Sequence, residues 1–191
     1  MSDRYDHLRW QELSRTKSAE YGLFDIYTTR RTSNQSHDSQ FLLVDAPDWV
    51  TIVPYLPELD SFYMVRQFRH GSSSVTLEFP AGVVNRDETP ADAARRELLE
   101  ETGCAGGELV SAGRVNPNPA FMTNAVHTFV ATEFECGDSQ KLDANEILDV
   151  ETVPVDRVVS DLGGEPFTNG IMVISLIWFL RFREKYNSGE T

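Results

Sequence analysis

The sequence predicts an α/β fold of the α+β kind: a mixed sheet sandwiched by helices, preceded by an N-terminal antiparallel strand subdomain. Three observations predict it. Short runs of β-branched and aromatic residues recur along the chain, one well-capped helix interrupts them midway, and a long apolar helix follows near the end.

The first runs, Leu8 to Leu13, Tyr21 to Arg31 and Gln40 to Val44, read as strands, with the polar stretch Thr32 to Ser39 as the turn between the last two. They define an N-terminal β subdomain, residues 1–45, and leave 46–191 as the larger domain. There, Trp49 to Pro57, Phe62 to Phe68 and Val75 to Phe79 read as strands, and Pro80-Ala81-Gly82 as a turn. The helix follows. Thr89 suits the N-cap, Pro90 the first helical position, Asp92 the positive end of the dipole and Gly103 a left-handed C-cap. Its apolar stripe is Ala91, Ala94 and Leu98. Leu109 to Val115, Asn124 to Glu135 and Ile147 to Pro154 read as later strands, Val155 to Ser160 as a short helix and Asn169 to Tyr186 as the long one.

The formal net charge of the 191 residues is −13. Such a surface repels nucleic-acid backbones, which are met by clustered Lys and Arg. The most apolar run, Ile171 to Leu180, is far short of the roughly 20 residues of a bilayer span, so no membrane partner is expected. Two cysteines, Cys104 and Cys136, and a polar N-terminus fit a reducing cytoplasm, and a domain of this size needs no disulfide.

Glu97, Glu100 and Glu101 stand at i, i+3 and i+4 and share one helix face. Like charges so placed repel, and a hard divalent cation such as Mg²⁺, which prefers carboxylate oxygens and shares its shell with phosphates, gives a reason to gather them. Taken alone, the triplet reads equally as a solvated acidic patch. Its surroundings narrow the choice: Gly82 allows close backbone approach, and Glu88, eight positions before Arg96, can tie loop to helix.

The run Gly82 to Cys104 resembles the complete Nudix box: Gly82, five residues, Glu88, seven residues, Arg96-Glu97, an apolar residue, any residue, Glu100-Glu101, any residue, Gly103 and an apolar position filled by Cys104. The resemblance implies a Nudix α/β/α sandwich, Mg²⁺ with Mn²⁺ as the substitute, and hydrolysis of a nucleoside diphosphate linked to another group. It makes Glu97 and Glu101 the main metal ligands, Glu100 a further ligand or a group that supports them, the carbonyl of Ala81 another ligand, and Gly82, Glu88, Arg96 and Gly103 structural.

Outside the box, Val65-Arg66-Gln67-Phe68-Arg69, Leu77 to Gly82 and Ala46 to Val50 resemble the ADP-ribose and nucleotide-sugar pyrophosphatases. That branch implies a small-molecule nucleotide sugar as substrate, and a homodimer built by the N-terminal strands. Arg66 and Arg69 are candidate diphosphate contacts; three apart on a strand, they point to opposite faces, which favours Arg69. Glu78 and Pro119 are further substrate candidates by position. The segment Asn116-Pro-Asn-Pro119 departs from the Ser-Pro-Gly type common in that branch, which keeps GDP-mannose open as an alternative. Among Trp10, Phe24, Tyr27 and Trp49, the rings of Phe24 and Trp49 are candidates to stack on the base. Glu146, in the late acidic loop, matches the position that supplies the general base, with Asp143 second. Other readings are a dinucleoside polyphosphate or coenzyme A hydrolase, and a Nudix-fold regulator that binds without cutting.

Overall fold

The structure, a computed structural model, describes residues 4–137, 139–142 and 144–188. The chain divides into two compact units, Met1–Pro47 with Asn116–Ala125, and Asp48–Val115 with Val126–Thr191.

In the first unit β1 (Trp10–Tyr21), β2 (Phe24–Ser33) and β3 (Asp38–Asp45) form an antiparallel sheet in that order. β1 runs well past the expected Leu13. Ser14 to Ala19 carries no hydrophobic alternation, because neither face of it is covered. Main-chain pairing with β2 makes it a strand, and cross-strand ion pairs help: Lys17 with Asp25 at 2.6 Å and Arg31 with Glu12 at 2.9 Å. The Asn116–Ala125 segment joins this unit through β3, with the Val44 N–H donating to the Phe121 carbonyl at 2.8 Å and the Thr123 N–H to the Val44 carbonyl at 3.1 Å.

The second unit contains β4 (Trp49–Leu56), β5 (Ser61–Arg69), β6 (Ser74–Glu78), β7 (Ala81–Val83), α1 (Pro90–Thr102), β8 (Cys104–Ala105), β9 (Glu108–Val115), β10 (Val126–Thr132), β11 (Glu135–Cys136), β12 (Leu148–Pro154), α2 (Val155–Ser160) and α3 (Gly170–Ser188). Its seven-stranded sheet runs β12-β5-β4-β10-β9, with β6 on β5 and β7 on β4. β10 is parallel to β4 and the other pairs are antiparallel, so the sheet is mixed as expected. The turn expected at Pro80 to Gly82 becomes β7, because Ala81 to Val83 reach across to pair with Trp49 to Thr51. The run Asn124 to Glu135 is broken by Glu133, at φ 57°, into β10 and the short β11.

Strand periodicity gives the sheet two apolar faces. Val50 and Ile52 of β4 pack with Ala93, Ala94 and Leu98 of α1, whereas Val53 and Tyr55 pack with Met172, Leu176 and Phe179 of α3. The result is a helix on each side of the sheet, the α/β/α sandwich. α1 occupies the span expected. The Thr89 hydroxyl accepts from the Asp92 N–H at 3.2 Å, Pro90 opens the first turn, and Gly103, at φ 68°, closes the last by donating to the Leu99 carbonyl. Among the described residues no helix is long and apolar enough to cross a membrane.

One expectation fails. Cys104 is fully buried, as an apolar position should be, but it is joined to Cys136 by a disulfide. The partners are 32 residues apart in sequence yet face each other in the β8–β11 pair, a proximity that spacing does not reveal. Closing a loop of that size restricts the unfolded chain by about 3–4 kcal/mol. Cys136→Ser should therefore lower the denaturation midpoint measured without reductant, by a free energy of about that size. An unchanged midpoint would show that the link contributes no stability.

Candidate active site

The acids of α1 face β7, and the geometry follows from how each end of the helix is tied. Arg96 is the first tie. Its Nε and Nη2 donate to both oxygens of Glu88 at 2.8 and 3.0 Å, and Nη2 also donates to the Val83 carbonyl at 2.9 Å. Glu88 in turn accepts from the Asn85 backbone and side chain. The loop between β7 and α1 is thus pinned to the helix, and the guanidinium beside Glu88 holds that carboxyl below the usual range. The remaining nitrogen of Arg96, Nη1, donates to Glu97 at 2.6 Å and to Glu100 at 2.9 Å.

The second tie is at the other end. Helix C-termini leave carbonyls without partners. Here the Lys141 N–H donates to the Glu100 carbonyl at 2.9 Å, the Gln140 side chain donates to the Glu101 carbonyl, and the Gly137 N–H donates to the Gly103 carbonyl at 3.3 Å. The chain that leaves β11 is therefore laid along the end of α1. Five residues beyond Lys141 it brings Glu146 to the cleft lined by Gly82, Glu97 and Glu100, which encloses about 390 Å³.

Glu101 is 4% exposed and accepts from the Ala81 N–H at 3.1 Å. Burial pushes its carboxyl up to about 8; the Ala81 N–H opposes this, and the charges of Glu97 and Glu146 add to it. Burial also raises Glu97, against the pull of Arg96 and with the push of Glu100 and Glu146. Gly82 lies so close that a Cβ there would stand 1.9 Å from Glu97 Oε1. Backbone and carboxylate meet with no room for a side chain between them.

Among the described residues no three His, Cys, Asp or Glu side chains already converge as a cation cage. The reason is visible: Glu97 and Glu100 are turned to Arg96, and Glu101 to the Ala81 amide. The donor set nonetheless suits a hard divalent cation. It is all carboxylate oxygen, two of its members are pushed toward protonation by burial and mutual repulsion, and positive charge would relieve both effects.

Glu146 also lines a second cleft, of about 830 Å³, together with Arg69, His70, Glu78 and Asn169. A third cavity, of about 300 Å³, shares Arg69, Glu78 and Asn169 with the second and Ala81 and Gly82 with the first, and carries Trp49 and Met172. Acids, guanidinium and indole thus line neighbouring cavities that share residues. Arg69 is held by Glu78 through two bonds, 3.0 and 2.8 Å. Arg66 is engaged elsewhere, in a two-point pair with Glu151 of β12, and lines none of the three cavities. Phe24 and Pro119 belong to the first unit, where Phe24 packs on Tyr21 with centroids 5.5 Å apart. His127 bonds Asp48 at 2.9 Å. Asp143 lies outside the described residues. Thr76, Gln140 and Lys141 belong to no sequence motif, and Asn169 carries one signal only, as an N-cap residue type at the start of the last helix.

An α/β/α sandwich whose box helix sets Glu97, Glu100 and Glu101 beside the strand that carries Gly82 defines the class. The chain belongs to the NUDIX hydrolases: the family model of the NUDIX domain matches residues 47–172. Members generally use a divalent metal. The chain is 29% identical over 135 residues to an ADP-ribose pyrophosphatase of Bacillus subtilis, covering 70% of this chain and 72% of that one. It is 32% identical over 143 residues to a GDP-mannose pyrophosphatase of Citrobacter koseri, covering 69% and 73%. Among solved structures, an ADP compounds hydrolase superposes with a TM-score of 0.81 at 20% identity, over 96% of this chain and 97% of that one, a likeness of fold.

Gly82→Ala should displace the Glu97 carboxylate and cut turnover at least about tenfold while the unfolding midpoint stays near the parent's. Parent-like turnover in that variant would show that the close approach is incidental.

Proposed function

We propose that this protein hydrolyses the diphosphate linkage of ADP-ribose or a related nucleoside diphosphate sugar in a Mg²⁺-dependent reaction, releasing a nucleoside monophosphate and a sugar phosphate. The observation that carries the reading is the crowding of half-buried Glu97 and Glu100 with buried Glu101 on one helix face, with a fixed arginine, Arg69, and the indole of Trp49 lining neighbouring cavities. The relatives named for ADP-ribose, ADP-sugars and GDP-mannose support the substrate class.

Glu97, Glu100 and Glu101, with the carbonyl of Ala81, would hold the Mg²⁺. When bound, it neutralises charge on the non-bridging phosphate oxygens. Arg69, which lines the wider cavity together with Glu146, presents a planar donor set to the diphosphate. Glu146, which lines both the acid cleft and the wider one, takes the proton from the attacking water. Trp49 offers an apolar face to the nucleoside end. Glu88 and Arg96 keep the acids in place.

The protein acts as a homodimer in this reading. Eleven of the 12 residues of β1 are exposed, and Trp10, Leu13, Tyr21, Phe41 and Leu42 leave apolar surface on the N-terminal sheet that a second copy would cover.

Glu101→Gln should lower turnover by at least about 100-fold, near 2.7 kcal/mol of barrier, with the fold intact. Glu146→Gln should lower kcat more than it raises KM. Product chromatography on ADP-ribose, GDP-mannose and a UDP-sugar, with Mg²⁺ and then with a chelator, tests the whole. Cleavage of none of them, or cleavage indifferent to the chelator, would refute the reading. Sedimentation at micromolar concentration tests the dimer, and a monomer there would remove that part.

A further inference from the structure

Glu78, the last residue of β6, is a carboxylate only 2% exposed. A buried carboxylate is tolerated where its oxygens are filled by donors. Here each oxygen accepts twice: Oε1 from Arg69 Nε and the Thr76 hydroxyl, Oε2 from Arg69 Nη2 and the Asn169 side-chain amide. The group is saturated. It accordingly serves as a fixed post for Arg69 and has no lone pair to spare for a ligand. Arg69 spends Nε and Nη2 on that post, and its Nη1 has no acceptor among the described residues.

Asn169 has a second bond. Its Oδ1 accepts from the Ile171 N–H at 2.8 Å, and its own carbonyl accepts from the Val173 N–H at 3.1 Å, so it is the N-cap of α3. An amide is the side chain that can do both things, with oxygen for the cap and N–H for the carboxylate. Aspartate would cap the helix but set a second negative oxygen against Glu78, and serine would cap it but is too short to reach Glu78. Asn169 also lines both cavities that Arg69 lines.

We propose that Asn169 is a positioning residue for diphosphate hydrolysis: through Glu78 it fixes the Arg69 guanidinium so that its free edge meets the substrate's diphosphate. The inference rests on the reading of Arg69 as a diphosphate contact, and the test separates the two. Asn169→Ser, Asn169→Asp, Arg69→Ala and the double variant Asn169→Ser with Arg69→Ala are compared for kcat/KM on ADP-ribose with Mg²⁺. The calorimetric Kd for ADP-ribose in chelator and the unfolding midpoint are read on the same set. Both single Asn169 variants keep the cap, so midpoints within a few degrees of the parent are expected. Asn169→Ser should lower kcat/KM about tenfold and Asn169→Asp about 100-fold, with Kd moving the same way. In the Arg69→Ala background Asn169→Ser should change kcat/KM by less than about twofold, because the group it positions is gone. Equal losses from Asn169→Ser in both backgrounds, or parent-like kcat/KM in both single variants, would overturn the proposal alone. Parent-like kcat/KM in Arg69→Ala would remove the reading of Arg69, and the proposal with it.

Discussion

The cost of keeping carboxylates out of water is the constraint on which the rest of this structure depends. Glu97 and Glu101 are held in the angle between α1 and β7, where desolvation and mutual repulsion both oppose their charge. Everything around them answers that cost. Arg96 lends one nitrogen to Glu97 and Glu100 and two to Glu88, the Ala81 amide meets Glu101, and Gly82 withholds a side chain so that Glu97 fits at all. A burial that weakens the fold locally is retained where it sets up chemistry.

Two further arrangements extend the same logic outward. The end of α1 needs donors for its last carbonyls, and the segment after β11 supplies them; that capping is what carries Glu146 to the acids. Glu78 in turn anchors Arg69, which lines the wider cavity together with Glu146. Each cation is thereby fixed by a carboxylate partner, Arg69 by Glu78 and Arg96 by Glu88.

The parts legible in the sequence are those written in local chemistry. The α1 span followed from Thr89, Pro90 and Gly103, each in its preferred capping role, and the shared face of the glutamates from helical spacing. The strands of the second unit showed because one or both faces are buried. β1 did not show beyond Leu13, since a strand exposed on both faces carries no alternation. Nor did β7, three residues whose identity as strand is decided by pairing with Trp49 to Thr51, far away in sequence. The Cys104–Cys136 link, the Asn169–Glu78 contact and the Gln140 contact are likewise products of tertiary proximity: residues 32, 91 and 39 positions apart leave no periodic trace.

Arg96 has a consequence for what holds α1 together. In many small metalloproteins the ion nucleates the fold, and the empty chain stays unfolded. Here a side chain of the same helix already supplies a counter-charge to Glu97 and Glu100, and the Thr89 and Gly103 caps hold the helix ends. The chain therefore carries its own counter-charge for these acids, and the helix that presents them does not depend on a cation to be held together.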